Sequence, residues 1–382
     1  MKIAQTTLHT LSSATGELAE LISLNPQLVF VFGCVAHFSD PLFFPFLQKH
    51  FPHAQFAGCS TAGEISSSGV STQTSVITAI RFDEVQFKIA TSELCSMQTS
   101  LNTGNLLATS LRSDELQAVL LLGQGVGING SALIDGMVEV LGSQIPITGG
   151  LAGDDGAFVK TYTLSPQGIS TSIVVAIGFS GKSLHFSHGS YGGWKPFGPV
   201  RKVTKCSDNI LYELDGAPAL DIYKKYLGDY AKDLPGSGLL FPFEMLSGMR
   251  ESLGQIRTIL GVNDEDGSLI LAGAINPDGY LRLMHAHTDD LVDGAETAAH
   301  AVMDKLEQPN GQALALLVSC VGRKLVMGGR VDEEVEAVQD IFGDHTVLCG
   351  FYSNGEICPG YKLEDCSLHN QTMTITYLSE MS

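Results

Sequence analysis

A glycine-rich phrase occurs twice in this chain, once near each end. Gly58-Cys59-Ser60-Thr61-Ala62-Gly63-Glu64-Ile65 reappears, loosened, as Gly350-Phe351-Tyr352-Ser353-Asn354-Gly355-Glu356-Ile357. Each copy follows an apolar run, and a longer apolar run lies a helix-length further upstream. A turn repeated at equivalent places implies duplicated units. Each unit ends a strand in a turn that presents backbone N–H groups, a hydroxyl and one carboxylate. Glycine permits the positive φ of a tight turn, and successive free N–H groups make a concavity suited to a ligand. Aligned on Gly-Glu-Ile, Thr61 stands opposite Ser353 and Ser60 opposite Tyr352. The candidate ligand pockets are therefore Gly58, Thr61, Gly63 and Glu64 in one copy, and Gly350, Ser353, Gly355 and Glu356 in the other.

The flanking sequence predicts the unit. In the first copy, residues 28–34 read as a buried strand and 42–50 as a short helix with Pro41 in its first turn. Residues 53–57 return as a strand, and 74–80 with 85–90 read as a hairpin through Asp83-Glu84. The last copy has the same order: strand 313–320, helix 331–342, return 346–349 and a final strand 372–378. Cys34 and Cys320 fall at equivalent strand ends. A middle copy follows the same plan at 118–122, 131–141 and 145–148. There Gly149-Gly150-Leu151-Ala152-Gly153-Asp154 carries an aspartate in place of the glutamate phrase, and 171–177 echoes 74–80. Between 201 and 300 the pattern predicts a helix at 218–227, a hairpin of 256–262 with 269–275, and a helix over about 290–307. The expected fold is α/β, with mixed β-sheets flanked by helices.

Apolar residues make up 44% of the 382 residues and charged ones 16%, as in a compact globular chain. The net charge of −19 excludes a nucleic-acid footprint and adsorption to anionic lipid. No run approaches the ~20 apolar residues of a membrane span, and residues 1–20 lack the pattern of a signal peptide. The eight cysteines include no C-x-x-C pair, and a reducing cytoplasm is the expected location. Catalysis is not expected. No histidine lies within the Cys59 phrase, and Phe351 replaces that cysteine in the second copy. Gly123-Gln124-Gly125-Val126-Gly127 lacks the Lys-Ser/Thr ending of a phosphate loop. Cys320 is a candidate redox thiol, because Arg323 close by would lower its pKa.

Haem would need one axial side chain in an apolar cleft. His188, His285, His287 and Cys358 are the main candidates, with His37, His185 and His369 as further ones. In Cys358-Pro359 the proline would free the thiol from regular backbone. His285 and His287 share one face if their segment is a strand. His185 with His188 and His285 with His287 have metal-ligand spacing but no evident third ligand, so the metal is left unknown and a zinc or cysteine-based redox sensor is a further reading. Trp194, within the glycine- and proline-rich residues 192–199, is a pocket wall or a loop anchor.

The phrase at 58–65, Ile147-Thr148-Gly149-Gly150-Leu151-Ala152-Gly153-Asp154, Gly193-Trp194-Lys195-Pro196-Phe197-Gly198-Pro199, and the run from Leu211 to Leu220 resemble the FIST N domain. Cys320-Val321-Gly322-Arg323, the phrase at 350–357 and His369-Asn370-Gln371-Thr372-Met373-Thr374 resemble the FIST C domain. The resemblance implies an N-terminal extension at 1–24, a FIST N domain at 25–217 and a FIST C domain at 218–382. It implies a sensory input protein for a small molecule such as an amino acid. A stand-alone chain of this length is similar to the nitric-oxide-sensing haem proteins of the family. Haem is then the candidate cofactor. A sensor histidine kinase or a cyclic-di-GMP enzyme (diguanylate cyclase or phosphodiesterase) is the expected partner, and a homodimer is left open.

Overall fold

In the computed structural model, residues 1–11, 14–306, 311–360 and 366–381 are described. Three six-stranded mixed sheets share one strand order. The first runs Lys2–Leu8, Ser75–Arg81, Leu28–Gly33, Gln55–Ser60, Thr163–Ser165, Gly168–Ser170. The second runs Gln86–Glu93, Ile173–Ser180, Leu116–Gly123, Ile147–Leu151, Gly355–Pro359, Cys366–His369. The third runs Leu184–Tyr191, Met373–Glu380, Ala313–Cys320, Thr346–Ser353, Glu64–Ser66, Gly69–Ser71. In each, the third and fourth strands are parallel and the others antiparallel.

The last two strands of every sheet come from another unit. The ribbon of the first unit completes the third sheet, that of the second completes the first, and that of the third completes the second. This cyclic exchange corrects the expected hairpin at 74–90. Ser75–Arg81 and Gln86–Glu93 lie in different sheets, and the turn between them carries the chain from one unit to the next. Residues 1–24 contribute Lys2–Leu8 as the outer strand of the first sheet.

Alternation along the parallel strands explains the packing. Phe30 and Phe32, Leu120 and Leu122, and Leu316 and Val318 point into one shared core, where Phe32 stacks on Phe351 at 4.8 Å. The alternate residues face outward to helices: Val29 and Val31 in the first unit, Val119 and Leu121 in the second, Ala315 and Leu317 in the third. Ser100–Leu111 and Gly130–Leu141 cover the second sheet; Thr288–Met303 and Asp332–Phe342 cover the third. The parallel strands Leu28–Gly33, Leu116–Gly123 and Ala313–Cys320 are apolar on both faces, as buried parallel strands are. The helix expected to reach 307 is assigned as Thr288–Met303, and position 307 lies outside the described residues.

One glycine in each unit is dictated by this geometry. A Cβ on Gly58 would fall 1.8 Å from the Val31 carbonyl oxygen, on Gly149 2.1 Å from that of Leu121, and on Gly350 1.8 Å from that of Leu317. Each clash is with the residue paired across the parallel strand.

A smaller domain is inserted in the third unit, between Leu184–Tyr191 and Ala313–Cys320. Its nine-stranded sheet spans Lys195 to His285, with the helix Ala219–Leu227 packed in its core. The 217/218 boundary lies inside this domain, where Ala217–Pro218 pairs with Ile210–Leu214. The expected hairpin there forms between Ile259–Asn263 and Ser268–Leu271.

Candidate functional site

The glycine turns of the three units meet. Ala62 N donates to Tyr352 O (2.9 Å), Gly153 N to Ser60 O (2.8 Å), and Asn354 N to Leu151 O (3.1 Å). This ring joins Ser60, Leu151 and Tyr352 as equivalents. The Ser60 hydroxyl reinforces it, donating to Gly153 O at 2.7 Å and accepting from Tyr162 N at 2.9 Å.

Each glutamate of the repeated phrase is clamped in one pattern. Thr61 Oγ1 donates to Glu64 Oε1 at 2.6 Å, and Thr74 donates to Oε2 through its hydroxyl (2.7 Å) and backbone N–H (3.3 Å). Ser353 Oγ donates to Glu356 Oε1 at 2.7 Å, and Thr372 donates to Oε2 through its hydroxyl (3.0 Å) and N–H (3.1 Å). The carboxylates thus tie each turn to the start of the final strand of its unit. The middle unit differs from expectation. Its Thr163-Leu164-Ser165 strand occupies the place of Glu64-Ile65-Ser66. Asp154 is not a counterpart of the glutamates: it accepts from the N–H groups of Phe158, Val159 and Lys160 and shapes an extra loop.

The two glutamate turns have different surroundings. Gln73 and Gln371 precede the clamping threonines, and both have left-handed backbone (φ 61° and 65°). Gln371 is wholly buried. Its amide packs where a Cβ on Gly322 would stand, 2.4 Å from Nε2, and donates to Leu239 O of the inserted domain at 2.8 Å. Trp194 Nε1 closes the same spot by donating to Gln371 O at 2.8 Å, so Trp194 is a loop anchor. In the first unit Ala36 stands in place of Gly322, and Gln73 is exposed. A cavity of about 260 Å³ remains there, lined by Cys34, Thr61, Glu64, Asp154, Asp155 and Lys160. Lys324, from the third unit, contacts two residues that line it, bonding Ala62 O and standing 3.5 Å from Asp155 Oδ1.

Burial raises the Glu64 carboxyl above its ordinary range, opposed by its hydrogen bonds to Thr61 and Thr74. Glu356, wholly buried, is pushed up to about 7 by burial. Of the expected pocket residues, Thr61, Gly63 and Glu64 therefore line a cavity. Gly58 and Gly350 hold strand spacing, and Ser353, Gly355 and Glu356 are buried in packed protein. Cys34, Gln73, Asp155, Lys160 and Lys324 were not identified from sequence. The recurrence of Gln-Thr at 73–74 and 371–372 was a usable signal for one of them.

The redox expectation at Cys320 is corrected. The thiol is buried and held well above its ordinary pKa, chiefly by burial. Arg323 is committed to Glu334 Oε2 at 2.6 Å, with both side chains buried, and to the carbonyls of Gly192 and Leu291. Its charge is neutralised locally, so it does not activate the thiol.

The haem candidates form two pairs. Cys358 lies inside the strand Gly355–Pro359, so the proline does not free its thiol. Its Sγ is 3.8 Å from His188 Nδ1. Burial pushes Cys358 up to about 12 and His188 down to about 4. His285 and His287 do approach, with ring centroids 5.5 Å apart. His287, however, is the residue that opens the helix Thr288–Met303, its backbone N–H donating to Asp290 Oδ2 at 3.1 Å. Lys305, just beyond that helix's other end, bonds His188 O, so roughly 24 Å of helix separates the pairs. Each candidate pair is in contact with itself or engaged by backbone, which does not fit an axial side chain facing a porphyrin plane. His37 bonds Ser75 Oγ and buried His369 bonds Cys358 O. Among the described residues, no cluster of three or more His, Cys, Asp or Glu has metal-binding geometry. No described helix is long and apolar enough to cross a membrane.

Residues 27–217 match the FIST N domain and residues 219–359 the FIST C domain. An uncharacterized protein of Methanocaldococcus jannaschii is 24% identical over 340 residues, covering 84% of this chain and 63% of its own length. The chain thus spans less than two thirds of that relative. Two solved cyanuric acid hydrolases are similar in structure. One, from A. caulinodans, covers 100% of this chain and 99% of its own at a TM-score of 0.38 and 9% identity. The other covers 99% of each chain at a TM-score of 0.35 and 11% identity. Because these neighbours are enzymes, the expectation that the chain is not an enzyme is withdrawn; likeness at that level assigns it no activity. The two matches together cover most of the sequence, and the chain belongs to the FIST family, whose domains are sensory ligand-binding modules of signal transduction.

Proposed function

We propose that this chain senses a small zwitterionic metabolite of amino-acid size, bound in the cavity beside Glu64. The observation that carries the reading is the one open copy of a turn that is otherwise sealed: Thr61 and Glu64 border about 260 Å³ of space. Glu64 and Asp155 supply negative charge for an ammonium group, while Lys160 supplies positive charge for a carboxylate. Small-molecule sites are concavities of this kind with few, convergent polar groups. The walls come from two units, the Thr61 turn from the first and the loop bearing Asp154 and Lys160 from the second, and Lys324 of the third unit is bonded to both. A ligand touching both walls favours one packing of the units by its differential affinity. A histidine kinase or cyclic-di-GMP enzyme is the partner class this reading assigns to the output. Haem and nitric oxide are not carried forward, because His188 contacts Cys358 and His285 contacts His287.

Thermal unfolding of the full chain against the twenty amino acids and their decarboxylated amines tests this. A ligand of the folded state raises the midpoint with the logarithm of its concentration above Kd. The shift is lost in Glu64→Gln and kept in Glu356→Gln, each measured against its own ligand-free midpoint. A panel in which no compound raises the midpoint with rising concentration overturns the proposal.

A further inference from the structure

A second cleft, distinct from the Glu64 cavity, lies where the inserted domain meets the second unit and the Cys366–His369 strand. It measures about 310 Å³, room for roughly ten water-sized groups at the ~30 Å³ each occupies in the liquid. Arg257, at the end of the strand Ser252–Arg257, lines it and is only 4% exposed. The guanidinium is held by main-chain carbonyls. Nε donates to Ala274 O (3.1 Å), and Nη1 to Ile256 O (3.1 Å) and Leu368 O (3.3 Å). Nη2 has one weak partner, Gln255 Oε1 at 3.4 Å. Gly273 makes way for the group, since a Cβ there would lie 2.9 Å from Nε.

This arginine differs from the molecule's other buried one. Arg323 faces Glu334, whereas Arg257 forms no ion pair among the described residues. A buried charge without a counter-charge is costly. Burial accordingly lowers Arg257 to about 10, which leaves it cationic at neutral pH. Its neighbour His369 offers no compensation, being held neutral by burial with a further push from Arg257 itself. Asn276, Ser131 and Ser367 add neutral hydrogen-bonding groups to the lining, and Ile134, Met245 and Ile275 add apolar wall. Among the described residues, the acidic lining residue is Asp135, which is exposed.

We infer that this cleft binds a small organic monocarboxylate, its carboxylate on the Nη2 edge of Arg257 and its hydrocarbon part against Met245 and Ile275. A single cation in a lining that is otherwise neutral apart from the exposed Asp135 matches a single negative charge. A phosphate dianion would bring a second charge with no partner into the same low-dielectric space. The bound anion would supply the counter-charge that Arg257 lacks. It would also link the inserted domain to the helix Gly130–Leu141 and to the Cys366–His369 strand.

Calorimetric titration of the full chain with acetate, butyrate and benzoate at constant ionic strength tests this, with inorganic phosphate as the competing anion. Saturable binding with a Kd below about 10 mM is expected for at least one carboxylate, and at least tenfold weaker binding for phosphate. Arg257→Gln abolishes it. Ser367→Ala and Asn276→Ala, which leave the arginine's carbonyl contacts in place, weaken it about fivefold each if each removes one hydrogen bond of ~1 kcal/mol. These two variants carry the test if Arg257→Gln does not fold. Glu64→Gln leaves carboxylate binding unchanged, which separates this site from the amino-acid response proposed above. Absence of saturable carboxylate binding, affinity unaltered by the Ser367 and Asn276 substitutions, or phosphate binding as tightly as the best carboxylate overturns the inference.

Discussion

Glu64 and Glu356 accept the same three hydrogen bonds from equivalent residues, yet one borders a cavity and the other is sealed. The difference arises outside the turns. Over the C-terminal copy, Gln371 folds onto Gly322 beneath Leu239 and Trp194. Over the N-terminal copy, Ala36 replaces that glycine and Gln73 points to solvent. A repeated motif is therefore scaffold in both places and pocket in one. The part that covers it decides which.

The shared scaffold can be broken first, and with the largest effect. Gly58→Ala and Gly350→Ala each place a Cβ within 2 Å of a neighbouring strand's carbonyl, so both should abolish folded protein by circular dichroism. A wild-type midpoint in either variant would show that the two turns are not equivalent.

The next effect separates the copies. Glu356→Ala strands three donors in dry protein and should cost about 3 kcal/mol or more in urea unfolding. Glu64→Ala should cost roughly half as much, because water in the adjoining cavity can take over its hydrogen bonds. Equal losses would mean that the cavity does not relieve the turn. The same contrast has a pH signature. The folded-state pKa of Glu356, about 7, lies above its ordinary 4.5, so the native state holds the extra proton between those values. Its contribution is complete below pH 4.5 and is lost as pH rises through 7. Glu356→Gln should flatten that fall relative to the parent chain; an unchanged slope would contradict the assignment.

Smaller effects probe the cover. Gln371→Ala empties a packed site and should cost about 2 kcal/mol, whereas Gln73→Ala should stay within about 0.5 kcal/mol. Thr61→Val removes one hydrogen bond to Glu64 and should cost about 1 kcal/mol by the same urea measurement. A neutral result would assign the clamp to Thr74 alone.

Much of this fold was legible in the sequence. The strands at 28–33, 116–123 and 313–320 are apolar on both faces, so their runs are continuous and easy to recognise. The pairing of Thr61 with Glu64 and of Ser353 with Glu356 follows from a three-residue spacing within one turn. The sheet partner of Ser75–Arg81 was not legible, because a turn such as Asp83-Glu84 serves a hairpin and a passage between sheets equally well. Asp154 shows the same limit: a glycine turn with an acid reads alike whether the acid clamps a strand or organises a loop.

The sequence by itself determined that the chain is a threefold repetition of strand, helix, strand and glycine turn, since local periodicity and near-identical phrases report local structure directly. The exchange of ribbons in a ring, the pairing of Arg323 with Glu334 while Arg257 has no ion pair among the described residues, and the opening of one glutamate turn of two are set by tertiary contacts. Each of those outcomes depends on which distant segment covers a residue, and burial by a segment a hundred positions away leaves no periodic trace in the residues it covers.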